Sequence, residues 1–256
     1  MDMQFLKQHW YADIYEQQVT QSDEARFILD IIGSESKKIL EVACGGGRIL
    51  IPLAKSGHTV TGFDFDEFML EKCQSKAKNT QNVTCYLADA VTQDWGNGFD
   101  IVVLAGNILL NIESKLDYIQ SQKLFIKKAF DCIRQGGYLY LDIDNNEALE
   151  SYSNHPERVI FEGTDDLGTY GRYSIYDGSY DNQTQTVLFK RRTVIIAKNG
   201  DKQVFEHSAS KYFPKLHQVK SWLTDAGFEI SKIFGDYSGN PLTDQSQRII
   251  IWAKKT

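Results

Sequence analysis

The 256-residue chain contains no run of about 18 apolar residues, the length that a membrane-spanning helix requires. Its opening stretch, Met1 to Trp10, sets Asp2, Gln4, Lys7 and Gln8 among the apolar residues. The apolar core of a signal peptide is missing, and the cytoplasm is the expected location, with no membrane partner. Excess positive charge is missing too. The net charge is −6, so the chain has no general attraction for a phosphate backbone, which argues against a nucleic-acid partner. The local cluster Lys190-Arg191-Arg192 reads as a solvated strand edge. The four cysteines, Cys44, Cys73, Cys85 and Cys132, form no C-x-x-C pair and have no histidine at zinc-ligand spacing. Neither a disulfide framework nor a metal site is expected. No internal repeat or low-complexity segment appears.

What is present is the balance of a globular protein, 42% hydrophobic and 24% charged. The length suits one catalytic domain with an insertion. Helices are expected over residues 2–18 and after Ser22 as far as Gly33. From Lys38 strands alternate with helices. Strands are expected over 39–43, 59–63, 83–87, 99–105 and 138–143. The intervening helices are 48–56, 67–78 and 114–134, the last closed by Gly136-Gly137. Nearly all-apolar strands alternating with helices indicate a parallel sheet covered on both faces. Residues 158–213 break this pattern. They hold β-formers separated by Asp177-Gly178, Asp181-Asn182 and Asn199-Gly200, read as turns, which predicts an antiparallel insertion of three or four strands. A helix over 216–226 stopped by Gly227, and strands over 228–234 and 248–253, close the chain.

The informative run is Ile39-Leu40-Glu41-Val42-Ala43-Cys44-Gly45-Gly46-Gly47-Arg48, where a strand hands over to a helix. A glycine-rich turn lets backbone approach a ligand closely, and free N–H groups at a helix start favour a negative group. The dinucleotide fingerprint G-x-G-x-x-G would use Gly45 and Gly47, but Leu50 stands where its third glycine belongs.

The run instead resembles the first motif of class I S-adenosylmethionine methyltransferases of the small-molecule type, with Glu41, Ala43, Gly45 and Gly47 in the motif positions. Ala43 in place of the first glycine is similar to glycine N-methyltransferase-like relatives with an A-C-G-x-G core. The resemblance implies S-adenosylmethionine as cofactor, a turn wrapped around its methionine part with Arg48 beside it, and Glu41 facing the ammonium. An acid suits an amino-acid cofactor and repels a pyrophosphate. The run from Gly62 to Leu70 resembles the second motif, with Asp64 accepting from the ribose hydroxyls, Phe65 and Met69 flanking the adenine, and Asp66 capping the next helix. Ala88-Asp89-Ala90 resembles the third motif, with Asp89 accepting from the adenine amine and Ala90 beside it. Ala105-Gly106-Asn107 follows the fourth strand at the edge where ligands bind in open parallel sheets. The closing stretches 223–228, 235–237 and 246–250 resemble the family's last helix and terminal hairpin.

The expected fold is therefore α/β, a Rossmann-like seven-stranded mostly parallel sheet with an antiparallel β insertion. The expected divisions are residues 1–33 as helices over the cofactor site, 34–150 with 214–256 as the Rossmann-like domain, and 151–213 as an insertion forming an acceptor lid. Tyr11 and Tyr15, one helical turn apart, are placed over the cofactor. The expected reaction moves a methyl group from S-adenosylmethionine to nitrogen or oxygen of a small-molecule acceptor. Asp142 and Asp144, which share one face of their strand, together with Asn107 and Tyr237, are the candidates for the acceptor site. The alternatives are a nucleotide-dependent oxidoreductase and a non-catalytic S-adenosylmethionine-binding protein.

Overall fold

The computed structural model describes residues 2–21, 23–145 and 156–256. In chain order the elements are α1 (Met3–Gln18), α2 (Asp23–Ile32), β1 (Lys38–Val42), α3 (Leu50–Lys55), β2 (Thr59–Asp64), α4 (Glu67–Ala77), β3 (Val83–Leu87) and β4 (Phe99–Leu104). A 3-10 turn (Ile108–Leu110) leads to α5 (Tyr118–Cys132) and β5 (Ile133–Asp144). Then come β6 (Arg158–Thr164), β7 (Tyr170–Asp181), β8 (Thr186–Ile196), β9 (Lys202–Tyr212), α6 (Leu216–Ala226), β10 (Phe228–Phe234) and β11 (Arg248–Lys255). The chain divides into two compact units, Met1–Gln21 with Ala148–Phe213, and Ser22–Glu147 with Pro214–Thr256. Of the two N-terminal helices, α1 falls in the first unit and α2 in the second. Ser22, the expected start signal of α2, and the expected boundary at 150–151 lie outside the described residues.

The larger unit is the Rossmann-like α/β sheet of seven strands, in the order β10-β11-β5-β4-β1-β2-β3. The strands β1 to β5 pair in parallel, and β11 pairs antiparallel with both β5 and β10. The central strands are apolar on both faces, and Ile39, Leu40, Val102, Val103 and Leu104 are fully buried. One face packs on α2, α3 and α4 through Phe27, Ile28, Leu50, Leu53, Leu70 and Cys73. Successive strands run outward from β1 to β3, and the chain then returns to lay β4 against the other side of β1. That reversal is the topological switch point, and in open α/β sheets ligands bind outside the carboxyl ends of the strands that flank it, here β1 and β4.

Position 50 shows why no third glycine is needed. Leu50 is buried in α3, and a Cβ on Gly62 of β2 would lie 2.5 Å from its Cδ1. The close helix–strand approach is provided from the strand side. The expected helix over 114–134 is corrected at both ends. Asp117 caps it, accepting from Gln120 N at 2.8 Å, and it stops at Cys132. Gly136-Gly137 lie within the span of β5, because Ile133 already pairs with Phe99 and the extra residues before Tyr138 bulge out of the ladder.

The smaller unit is a four-stranded antiparallel sheet, β6-β7-β8-β9, carrying α1. Leu6, Trp10 and Ile14 fall on one face of α1, four residues apart, and bury against Ile195 together with Phe161, Tyr173 and Phe205. Trp10 explains a glycine. A Cβ on Gly171 would stand 2.2 Å from the indole, and the indole N–H donates to Gly163 O at 2.9 Å. His9 meets Asp165 at 3.1 Å and Asp166 at 3.4 Å, which ties α1 to the β6–β7 turn. Two expectations are corrected here. Asp177-Gly178 is a bulge within β7, with Asp177 at φ +56°, because a bulge and a hairpin turn both call for left-handed backbone. Lys190-Arg191-Arg192 lies on β8, an interior strand of this sheet rather than an edge. There Lys190 pairs with Asp177 at 2.7 Å and Arg192 with Glu206 at 3.0 Å.

Candidate functional site

β1 ends at Val42, and within the next five residues Ala43, Gly45 and Gly47 all take left-handed backbone, at φ +57°, +51° and +79°. For an alanine that conformation costs roughly 1 kcal/mol, so the turn is held by its surroundings. Cys44 N donates to Phe63 O at 3.0 Å, Gly45 N to Asp64 Oδ2 at 2.7 Å, and Lys76 Nζ to Gly46 O at 2.9 Å. Side chains press on it from below. A Cβ on Gly45 would lie 3.2 Å from Met69 Cε, and one on Gly47 would lie 2.9 Å from Cys73 Sγ. Met69 thus supports the turn and is nearly covered.

Glu41 stands on β1 beneath this turn, almost fully buried, and its Oε2 has no hydrogen-bond partner. Burial holds its carboxyl well above the usual carboxylate range. A buried acid with an orphaned oxygen is a fitting partner for an ammonium group, so these residues fit the amino-acid end of S-adenosylmethionine.

At the end of β2, Asp64 accepts from Gly45 N and, through Oδ1, from Asp66 N at 2.9 Å. Burial raises its pKa against those two bonds. Asp66 caps α4 as expected, accepting from Phe68 N at 3.0 Å and Met69 N at 3.2 Å. Beside Asp64, Phe65 is 61% exposed, and Leu87, its neighbour's partner on β3, is 57% exposed. Two bare apolar side chains at adjacent strand ends suit a flat ring, and Leu87 was not singled out from the sequence. Asp89 is exposed and accepts from Val91 N at 2.8 Å and Thr92 Oγ1 at 3.0 Å, while Ala90 O receives Trp95 Nε1 at 2.9 Å. Ala105 packs on the core at the end of β4.

The acceptor candidates do come together. Gly106 and Asn107 are both left-handed, at φ +61° and +65°. Asn107 exchanges two bonds with Asp144, Nδ2 to Oδ2 at 2.9 Å and Oδ1 from the Asp144 N–H at 2.7 Å. Tyr237 donates to Asp142 Oδ2 at 2.7 Å. Arg248 binds Asp142 through Nε at 2.9 Å and through a guanidinium NH2, and also pairs with Asp144. Asp142 is wholly buried, and burial together with the neighbouring Glu24 carboxyl pushes its pKa up to about 8 against the pull of Arg248. Glu24 and Arg248 escaped sequence reading. Their partners lie 24 and 106 residues away, and only apolar flanks surround Arg248 on its carboxyl side. Tyr11 and Tyr15 belong to the smaller unit, where both rings pack edge-on against Phe161, and Tyr11 also against Tyr173.

Among the described residues no helix is long and apolar enough to cross a membrane. A family model described as a methyltransferase domain matches residues 39–137. A protein of Geobacillus sp. (strain WCH70), which its name assigns only provisionally to the methyltransferases, is 27% identical over 226 residues, 86% of this chain and 85% of its own. A ubiquinone biosynthesis O-methyltransferase of Coxiella burnetii is 28% identical over 157 residues, 58% of this chain and 63% of its own. Among solved structures, an S-adenosylmethionine-dependent methyltransferase from Clostridium acetobutylicum superposes with a TM-score of 0.73 at 15% identity, covering 95% of this chain and 97% of that one. The amino pentose methyltransferase CalS10 from Micromonospora echinaspora, solved with its S-adenosylmethionine bound, gives 0.66 at 16% identity, covering 96% of each.

Proposed function

We propose that this chain, which belongs to the class I S-adenosylmethionine-dependent methyltransferases, passes its methyl group to a nitrogen or oxygen of a small-molecule acceptor held beside Asn107, Asp142, Asp144 and Tyr237. The observation that carries the cofactor half is the glycine turn itself. Three left-handed residues stand over the orphaned Glu41 oxygen and are tied to Asp64. In this reading Ala43, Gly45, Gly47 and Arg48 cradle the methionine part, Glu41 takes the ammonium, and Asp64 takes the ribose. Phe65, Met69, Asp89, Ala90 and Ala105 bound the adenine side. The bound cofactor supplies an activated methyl group. The protein's own work is to orient the acceptor in line with it, exclude water and accept a proton.

The buried polar cluster around Asp142 supports a small polar acceptor, because its donors and acceptors are fixed before anything binds. The names of the neighbours, a sugar N-methyltransferase and an O-methyltransferase among them, favour nitrogen or oxygen as the atom methylated. The expected cofactor residues other than Tyr11 and Tyr15, and all four acceptor candidates, lie in the larger unit. The acidic balance of the chain supports a metabolite rather than a nucleic acid, with the cytoplasm as its compartment.

The test has two arms. Calorimetry with S-adenosylhomocysteine examines the cofactor site, and mass spectrometry after incubation with S-adenosylmethionine and a library of amines, amino sugars and phenols examines the reaction. Cofactor binding without any methylated product would favour a non-catalytic binding protein. Failure of the folded protein to bind at millimolar ligand would remove the cofactor assignment.

A further inference from the structure

We infer that Glu24 is a positioning residue for methyl transfer, coupling occupancy of the cofactor turn to the order of the loop that follows β4. The inference rests on the reading that the glycine turn holds the cofactor.

Glu24 lies in the first turn of α2 and is only 4% exposed. Its two carboxylate oxygens serve different loops. Oε2 pairs with the Arg48 guanidinium, directly after the glycine turn. Oε1 accepts the Gly106 N–H at 3.1 Å, in the middle of the loop after β4. That loop leans on a short turn, with Ile108 N donating to Ala105 O at 3.1 Å, and on the Asn107–Asp144 pair. Gly106 and Asn107 are consecutive left-handed residues, and the backbone tie to β5 is a long one, with Asn107 N donating to Asp142 O at 3.3 Å. Through Asn107 the loop positions Asp144, and Glu24 itself sits against Asp142.

A buried carboxylate that loses one donor keeps its desolvation cost with less to offset it. The two loops therefore share one counter-charge. When a ligand rigidifies the glycine turn, Arg48 is fixed against Oε2 and Gly106 finds a stationary acceptor at Oε1. The second loop then orders at a lower entropic cost. By linkage the effect runs both ways, so an acceptor that orders the Asn107 loop tightens the cofactor site. The chemistry needs an acid here. A Glu24→Gln variant would keep the shape but turn an NH2 donor toward either Arg48 or the Gly106 N–H.

The experiment is amide hydrogen exchange on the full chain with and without S-adenosylhomocysteine. In the wild type the ligand should slow exchange over residues 43–48 and also at Gly106 and Asn107. In Glu24→Gln it should still protect 43–48, with affinity reduced roughly tenfold, while the ligand-dependent slowing at Gly106 and Asn107 is lost. A merely structural role would alter exchange at these amides equally in both states and leave the ligand-dependent ratio unchanged. Arg48→Met, which leaves Glu24 in place, should show the same loss and decides the matter if Glu24→Gln does not fold. Slowing at Gly106 that persists in both variants, or that is absent from the wild type while 43–48 is protected, overturns the inference. A folded wild type that does not bind the ligand overturns the cofactor reading, and this inference with it.

Discussion

Gly45 donates its backbone N–H to Asp64 across 2.7 Å, and this bond closes the gap between the turn after β1 and the end of β2. The carboxylate that is read as the ribose ligand therefore also shapes the turn that is read as the methionine cradle. Its second oxygen holds the Asp66 N–H, so the start of α4 is fixed from the same side chain. Substituting Asp64 consequently tests two things, and they separate by measurement.

Asp64→Ala is expected to weaken S-adenosylhomocysteine binding by one to two orders of magnitude, roughly 1.5 to 3 kcal/mol, the scale for hydrogen bonds to a charged group. Loss of an acceptor for two backbone N–H groups should also lower stability by about 1 to 2 kcal/mol. Calorimetry reads the first and denaturant unfolding the second. Undiminished affinity alongside reduced stability would leave Asp64 as a turn support and not a ligand.

Glu41 should make cofactor affinity depend on pH. In the free protein burial raises its pKa well above the carboxylate range, so below that raised value the group carries a proton. An ammonium ligand favours the ionised form, and the proton must leave on binding. Affinity is therefore expected to rise with pH and to level off above the free-state pKa of Glu41. Calorimetry in two buffers of different ionisation enthalpy would reveal the released proton. No release, or the same release from Glu41→Gln, would dismiss Glu41 as the ammonium partner.

Tyr237→Phe removes the hydroxyl that donates to Asp142 Oδ2 at 2.7 Å and leaves the ring. S-adenosylhomocysteine affinity should stay within about twofold, while turnover of an active acceptor falls by about a hundredfold, the lower end of acid–base contributions. Unchanged turnover in steady-state assays would place Tyr237 outside the reaction.

Gly171→Ala should destabilise the smaller unit by about 1 to 3 kcal/mol, the cost of forcing extra volume into a packed site. The new methyl would fall 2.2 Å from the Trp10 ring. A lowered melting midpoint with altered tryptophan fluorescence is the expected result, and an unshifted midpoint would show that α1 can withdraw from Gly171 without loss.

The parallel half of the fold was legible because a strand buried on both faces must be apolar along nearly all its length, as Ile101 to Leu104 are and as Ile39 to Val42 are apart from Glu41. The glycine turn was legible because left-handed backbone leaves glycines in the sequence. The same signal misled at Asp177-Gly178, since it marks a left-handed residue without saying whether the chain reverses there. The end of α5 was missed for a tertiary reason, as Ile133 leaves the helix to pair with Phe99. In the candidate site, residues carried by local motifs could be read. Glu24 and Arg248 could not, because each is defined by a charge brought from a distant element.

The seating of Trp10 against Gly171 also sets an order of events in the cell. The face of α1 formed by Leu6, Trp10 and Ile14 is covered by residues as far along the chain as Phe205. At typical synthesis rates of about 5 to 20 residues per second, that covering arrives roughly 10 to 40 seconds after the helix is made. Until Phe161 and the strands after it are made, the apolar face of α1 has no native mate, while the α/β elements between them are already being made. A chaperone that clasps apolar helices would find its client here, and variants that slow closure of the antiparallel sheet would lengthen the encounter.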